Sequence, residues 1–380
     1  MKLNKKLYTL LLIPLLFVLP SCDRNNQLLI LNWGEYINDE VVQAFEKKTG
    51  YEVVISIADS NELFYSKIKS GTTAYDLVVP SDYMLEKMVQ KNLVQPIDYS
   101  KLSNYDPVNN PYMEGVVGIQ SEMFEGNEAY GVPYFWGTFG LMYTTEKAGL
   151  EEAVLQNSWK TLFEEDKRPA GTRIGMYNVS RYAYAVSNIY NGYSPNEISD
   201  ELLDLAFNTL TKTNFTEWGF DTLKKGIVAN NLDLAFVYTG DFLDMLYTKM
   251  DDGYSLEEIN FDIYVPDDTI AFMDFLVIPK KARHVDIAHE FIDFMLDPEN
   301  AYQNASVVGY STPLQKAYDK IVSHLGSDDT WLNSWAYANL TYYPMPKETD
   351  IIKYKGTPLA NFEQAWLDKI NTMVNNVKAN

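Results

Sequence analysis

Cysteine is almost absent from this chain: Cys22 is the only one in 380 residues. That excludes an internal disulfide framework and zinc sites built from cysteine pairs. Histidine is nearly as scarce, with His284, His289 and His324 making up the whole set. None of them sits in a motif with a nucleophile, and the spacing of His284 and His289 does not turn both toward one metal. Asp251-Asp252-Gly253 lacks the alternating acids of a calcium loop and reads as a turn. No metal and no cofactor are expected. Basic residues are outnumbered, 31 Lys and Arg against 52 Asp and Glu, for a formal charge of −21. A surface of that sign argues against a nucleic-acid partner, whose phosphates need basic groups, and its field favours the approach of small cations. Beyond residue 22 no apolar stretch approaches the ~20 residues of a membrane-spanning helix. Internal repeats, low-complexity tracts and long linkers are absent as well.

Residues 1–22 read as a targeting segment rather than as part of the fold. Lys2, Lys5 and Lys6 supply the positive end, residues 7–19 the apolar stretch, and Leu19-Pro20-Ser21-Cys22 the processing site. That tetrapeptide resembles the bacterial lipoprotein signal, in which the cysteine is acylated and becomes N-terminal. Lipidation would also remove the lone thiol from an exported protein, where it invites unwanted pairing. The expectation is a body outside the cytoplasmic membrane, anchored to its outer face through Cys22 or, after ordinary cleavage, periplasmic.

What the chain has in quantity is aromatic surface: 14% of its residues, led by 28 tyrosines. A length of 380 residues exceeds what one hydrophobic core usually supports, so more than one domain is expected. The alternation of elements supports an α/β class. A strand at 28–31 runs into Asn32-Trp33-Gly34-Glu35-Tyr36, and a helix follows with Asn38 as N-cap and Gly50 as its stop. A strand at 53–57, a helix at 62–69, a strand at 76–79 ending in Pro80-Ser81 and a helix at 83–91 continue the pattern. In such sheets ligands sit beyond the carboxyl ends of the strands, where Trp33, Tyr36, Ser81 and Tyr83 fall. Residues 100–127 read as a surface excursion rich in Asn, Pro and Gly. Tyr134, Phe135 and Trp136 lie in a glycine-containing strand at 130–144, facing either ligand or core. A second alternation spans 159–249, including a helix expected at 195–211 with Ser194 as its cap. A helix at 361–378 ends the chain, with Phe362, Trp366, Ile370 and Val374 forming a stripe read as core packing.

The strand expected at 270–279, IAFMDFLVIP, carries one carboxylate, Asp274, inside an apolar run. An ionised group there is costly unless a cation or several donors meet it. A carboxylate among aromatic rings suits an ammonium, although backbone donors at a strand end would satisfy it too.

Several segments together carry a family resemblance. LNWGEYINDEVVQAFEKKTGYEV, YDLVVPSDYMLEKM, VPYFWGTFGLMY, MDFLVIP and NASVVGYSTP, in this order, resemble the polyamine-binding proteins of bacterial ABC importers, over nearly the whole chain from residue 28. The resemblance implies a two-lobed periplasmic-binding-protein fold: two mixed-sheet α/β domains joined by crossing strands, with the ligand closed in the cleft. The lobes are expected at 28–138 with 275–318 and at 139–274 with 319–380. It further implies a polyamine ligand, putrescine or spermidine, a permease and ATPase as partners, no catalysis, and a monomer. Position by position, it assigns ligand contacts to Trp33, Tyr36, Ser81, Tyr83, Tyr238, Phe272, Asp274 and Tyr310. Asp241 and Glu35 resemble acids of the putrescine-preferring branch. Val179 and Tyr182 stand where spermidine-preferring members carry carboxylates, and Phe272 and Tyr238 replace tryptophans. The alternatives are a protein of the same fold that binds an amino acid, thiamine or a sugar, and a secreted glycoside hydrolase, since carboxylates beside Trp and Tyr platforms also fit sugars.

Overall fold

The computed structural model describes residues 26–123, 128–343 and 356–379; the expected targeting segment and Cys22 lie outside them. The first part of the chain alternates strand and helix: β1 (Gln27–Asn32), α1 (Asp39–Thr49), β2 (Glu52–Ile57), α2 (Asn61–Ser70), β3 (Leu77–Val78) and α3 (Asp82–Gln90). Local chemistry sets these boundaries. The Asn38 side chain accepts the Glu40 N–H and Ser60 accepts that of Leu63, while Gly50 (φ 77°) and Gly71 (φ 62°) end their helices in the left-handed region that favours glycine. The central strand β1 runs parallel to both β2 and β3. Its Leu28, Ile30 and Leu31 are fully buried, as a strand covered on both faces requires.

Next come β4 (Val94–Gln95), α4 (Glu114–Met123) and β5 (Val132–Thr144). The stretch at 100–127, expected as a surface excursion, instead contains α4, whose Val116 and Ile119 are fully buried. Tertiary packing supplied what the Asn- and Pro-rich composition hid.

The second alternation comprises α5 (Leu150–Asn157), α6 (Trp159–Phe163), β6 (Ile174–Tyr177), α7 (Ser180–Tyr190), α8 (Asp200–Lys212), β7 (Glu217–Gly219), α9 (Asp221–Val228), β8 (Leu234–Tyr238), α10 (Thr239–Asp251) and β9 (Phe261–Tyr264). The helix expected from residue 195 begins at Asp200, capped by Ser199. Pro195 sits in the preceding turn because the buried Arg181 guanidinium donates to Pro195 O at 3.0 Å and to Asn196 Oδ1 at 2.8 Å, pinning that turn. The chain continues through β10 (Ile270–Leu276), β11 (Ile278–Pro279), α11 (Val285–Met295), α12 (Pro298–Ala305), α13 (Gln315–Val322), α14 (Thr330–Tyr342), β12 (Thr357–Pro358) and α15 (Gln364–Ala379). The last helix starts after Phe362, and its Ile370 and Val374 are buried where α15 packs on α7 and α8.

Two larger sheets result, one ordered β2-β1-β3 and one ordered β12-β10-β5-β8-β6-β7 with β9 also paired to β5, beside a two-stranded sheet of β11 and β4. The long strands β5 and β10 run antiparallel side by side and link them. On its other side β10 pairs with β12 at Ile270 and Ala271; from Asp274, which bridges to Ser81, it joins the first sheet as well, Phe275 N–H donating to Pro80 O at 3.0 Å and Val277 N–H to Val78 O at 3.0 Å. The register between β10 and β5 slips at that junction, where Asp274 faces Phe135 and Phe275 faces Pro133. All thirteen residues of β5 are buried, and two of its glycines permit the close packing. A Cβ on Gly137 would lie 2.9 Å from the Phe272 ring, and one on Gly140 would lie 2.8 Å from the backbone oxygen of Tyr264. The side chains of β8 alternate between two core clusters, Phe236 to one face and Val237 to the other.

Phe139 lies fully buried on β5, stacked on Phe236 at 4.8 Å and 4.0 Å from the Tyr238 ring. Phe139→Ala is expected to lower stability by about 3–5 kcal/mol in urea unfolding, the range for deleting a buried ring.

Candidate functional site

The six parallel strand ends of the two sheets face one cavity of about 580 Å³. Trp33 follows β1, Asp59 follows β2, Ser81 follows β3, and Tyr177, Gly219 and Tyr238 close β6, β7 and β8. This is where open α/β sheets place ligands.

Asp274, from the junction in β10, forms part of the cavity wall and is only 4% exposed. The Tyr36 hydroxyl donates to its Oδ2 at 2.6 Å, whereas its Oδ1 has no hydrogen-bond partner among the described residues. Burial pushes the carboxyl up from 3.8 to about 6, against the pull of the Ser81 and Tyr36 hydroxyls. Burial also holds the Tyr36 hydroxyl well above its ordinary value, and the neighbouring Asp274 charge adds to this, so Tyr36 stays a donor. The loop bearing Tyr36 is itself fixed: the Tyr134 hydroxyl donates to Tyr36 O at 2.8 Å, and Asn304 donates to the Tyr134 hydroxyl at 3.0 Å.

Four rings enclose the space beside Asp274. Tyr36 meets Tyr310 edge-on at 4.9 Å, Tyr310 stands 5.9 Å from Phe272, and Phe272 stands 4.8 Å from Tyr238. Trp33 adds a further wall, braced by Nε1 donating to Val79 O at 2.8 Å. The Tyr310 ring lies so close to α10 that a Cβ on Gly240 would come within 2.3 Å of it. Only glycine fits there.

The cavity is strongly acidic. Glu35, Asp59, Glu217, Asp221, Asp241, Asp244 and Asp274 line it, against one cation, Lys224. Asp241 differs from Asp274 in being satisfied by the protein. Its Oδ2 accepts the Tyr238 N–H at 3.3 Å, and its Oδ1 accepts the Tyr310 hydroxyl at 3.4 Å, with Lys224 Nζ 3.6 Å away. Burial pushes this carboxyl up to about 6, opposed by Lys224 and reinforced by Asp221 and Asp244. Burial works against the Lys224 ammonium too, but Asp241 and Asp244 outweigh it and hold its pKa above the ordinary lysine value.

Of the residues singled out from sequence, Trp33, Glu35, Tyr36, Ser81, Tyr238, Asp241, Phe272, Asp274 and Tyr310 all line this cavity. Tyr83 does not: its ring is buried beneath, with its hydroxyl 3.5 Å from Glu62 Oε1. Ser81 makes no side-chain cap to α3; its hydroxyl accepts from Asn61 at 3.0 Å. Tyr134, Phe135 and Trp136 belong to the core, all at most 5% exposed. Tyr182 stands behind the cavity, where its hydroxyl accepts from Tyr238 at 2.8 Å. Sequence reasoning missed Asp59 and Tyr177, although the strand-end rule that selected Trp33 reaches both. It missed the group from Glu217 to Lys224 because the three-residue β7 carries too little pattern to read as a strand.

The sequence profile described as bacterial extracellular solute-binding protein matches residues 31–302. The spermidine/putrescine-binding periplasmic protein of Escherichia coli K12 is 27% identical over 311 residues, which are 81% of this chain and 83% of that one. A solved structure called a putative spermidine/putrescine ABC transporter from Listeria monocytogenes is 30% identical with a TM-score of 0.72, covering 93% of this chain and 99% of its own. The spermidine/putrescine ABC transporter substrate-binding protein of Streptococcus pneumoniae is 28% identical with a TM-score of 0.65, over 93% and 99% of the respective chains.

The raised carboxyl of Asp274 has a consequence for stability. The folded protein keeps this proton up to about pH 6, whereas the unfolded chain loses it near 3.8. Between those values the native state binds more protons, so this group's contribution to stability falls as pH rises. Asp274→Asn should therefore stabilise the ligand-free protein at pH 7.5, by on the order of 1–3 kcal/mol. It should also flatten the dependence of Tm on pH between about 4 and 6 relative to wild type; thermal melts across that range measure both.

Proposed function

The chain belongs to the bacterial extracellular solute-binding protein family, and from that premise we propose that it captures a polyamine outside the cytoplasmic membrane and delivers it to an ABC permease and its ATPase. Putrescine and spermidine are the first candidates. The observation that carries this reading is Oδ1 of Asp274, a buried carboxylate oxygen that meets no donor among the described residues, in a cavity walled by tyrosine and phenylalanine rings.

An ammonium supplies what that oxygen lacks, and it arrives at a carboxylate whose desolvation has already been met in folding. The rings of Tyr36, Tyr238, Phe272 and Tyr310 cover the ammonium and the methylene chain. Each contact of a cation with a ring face adds about 0.5–1 kcal/mol, and about 2 where water is excluded. Ligand held this way touches Trp33, Tyr36 and Ser81 from the first sheet together with Tyr238 and Phe272 from the second. It therefore favours the closed arrangement, with β5 and β10 as the hinge that the permease reads through closure. Three further features belong to the same proposal: lobes divided at 28–138 with 275–318 and at 139–274 with 319–380, a lipid anchor on Cys22, and a monomeric binding unit. Binding and release are the whole task; no bond is made or broken.

Titration calorimetry of the lipid-free mature chain with putrescine, cadaverine, spermidine and spermine tests this, with at least one amine expected near micromolar affinity, about −8 kcal/mol. Because the acid form of Asp274 offers no charge, apparent affinity should weaken about tenfold per pH unit below about 6. Asp274→Asn should lower it by about a hundredfold or more, the cost of losing a buried charge pair. If no amine raises the Tm while an amino acid, thiamine or a sugar does, the polyamine reading is wrong.

A further inference from the structure

The end of the cavity formed by α9 and α10 already contains a cation. Lys224, on α9, has a side chain only 6% exposed, with Nζ 2.6 Å from Asp244 Oδ2 and 3.6 Å from Asp241 Oδ1. Both oxygens of Asp241 are in use, one by the Tyr238 N–H and the other by the Tyr310 hydroxyl with Lys224 beside it. Asp274 is the opposite case, with one oxygen that has no hydrogen-bond partner among the described residues. The two buried carboxylates of this cleft are therefore not equivalent. One awaits a cation, and the other has been given one by the chain itself.

An alkyl diamine carries a second ammonium that must be matched or left in water. Placed at Asp241, it would meet a carboxylate that is already neutralised and a like charge at close range, which opposes entry. The remaining acids at this end are Glu217 at the start of β7, Asp221 at the start of α9 and Asp59 in the loop after β2. Asp59 and Asp221 are exposed and Glu217 is half-buried, so they hold an ammonium through screened, adaptable contacts.

We propose that Lys224 takes the place of a ligand ammonium at Asp241, so that Asp274 alone holds a buried ligand amine and Lys224 sets how far the cleft prefers a diamine over a monoamine. Resting on the polyamine reading above, this removes Asp241 from the ligand contacts that sequence resemblance assigns. It makes the second amine a weakly selected feature, tolerant of chain length.

The test is calorimetry at pH 8 on the mature chain with putrescine and with butylamine, its monoamine counterpart, for wild type, Asp241→Asn and Lys224→Met. The alkaline pH favours the ionised form of Asp241, which burial pushes up to about 6 even with Lys224 beside it. Asp241→Asn, which leaves Lys224 paired to Asp244, should change putrescine affinity by less than about threefold. Lys224→Met should raise the preference for putrescine over butylamine by about tenfold or more, the scale of a close buried charge pair. The inference is overturned if Asp241→Asn weakens putrescine tenfold while sparing butylamine, since Asp241 would then be a ligand carboxylate. It is equally overturned if Lys224→Met weakens or leaves both amines alike, since Lys224 would then only tie α9 to α10. Wild type that binds neither amine overturns the polyamine reading itself, a result distinct from either of these.

Discussion

A carboxylate that the protein buries and leaves half-satisfied is the constraint around which this structure is arranged. Desolvation of Asp274 opposes ionisation enough to lift its pKa to about 6 against the pull of the Ser81 and Tyr36 hydroxyls, and the Tyr36 hydroxyl donates to its Oδ2 at 2.6 Å. Such an arrangement is unfavourable for folding alone and favourable for holding a cation, because the cost of stripping water from the carboxylate is met before the ligand arrives. The surrounding architecture keeps it in place. The register slip between β10 and β5 falls at Asp274, and there β10 begins to pair with the first sheet as well as with β5. The anchor of the site and the junction of the two sheets are the same residue, so a group bound there touches both halves of the cleft.

The aromatic excess has two separate uses. Phe139, Phe236 and Trp136 are core rings, fully or almost fully buried with ordinary packing partners. Tyr36, Tyr238, Phe272 and Tyr310 form the inner surface of the cavity, and their spacing depends on backbone positions that carry no side chain. Gly137 admits the Phe272 ring against β5, and Gly240 admits Tyr310 against α10. Neither glycine touches the cavity's contents by side chain, yet each sets where a wall stands.

Charge is distributed unevenly along the cavity. Its acidic lining agrees in sign with the chain as a whole, and both draw cations inward. Lys224 breaks that pattern at one end by pairing with Asp241 and Asp244. On the proposed reading, a cleft with one unmatched and one pre-matched carboxylate would hold a ligand asymmetrically, by a buried, directional contact at Asp274 and solvent-facing contacts at the rim.

Much of this was legible in the sequence. Strand and helix alternation, the cap at Asn38 and the glycine stop at Gly50 depend on neighbouring residues and on hydrophobic period, both of which a sequence displays directly. Asp274 was legible for the same reason: a charge inside an apolar strand announces its own cost. The tertiary structure decided what depends on residues far apart in the chain. It buried α4 within a segment of loop-like composition, moved the start of α8 through contacts made by Arg181, and withdrew Tyr83 from the cavity. It also set Lys224 beside Asp241, seventeen positions away, a pairing that neither residue's local sequence contains. Local propensity and patterning belong to the sequence alone; which carboxylate is left without a partner is settled only when distant side chains meet.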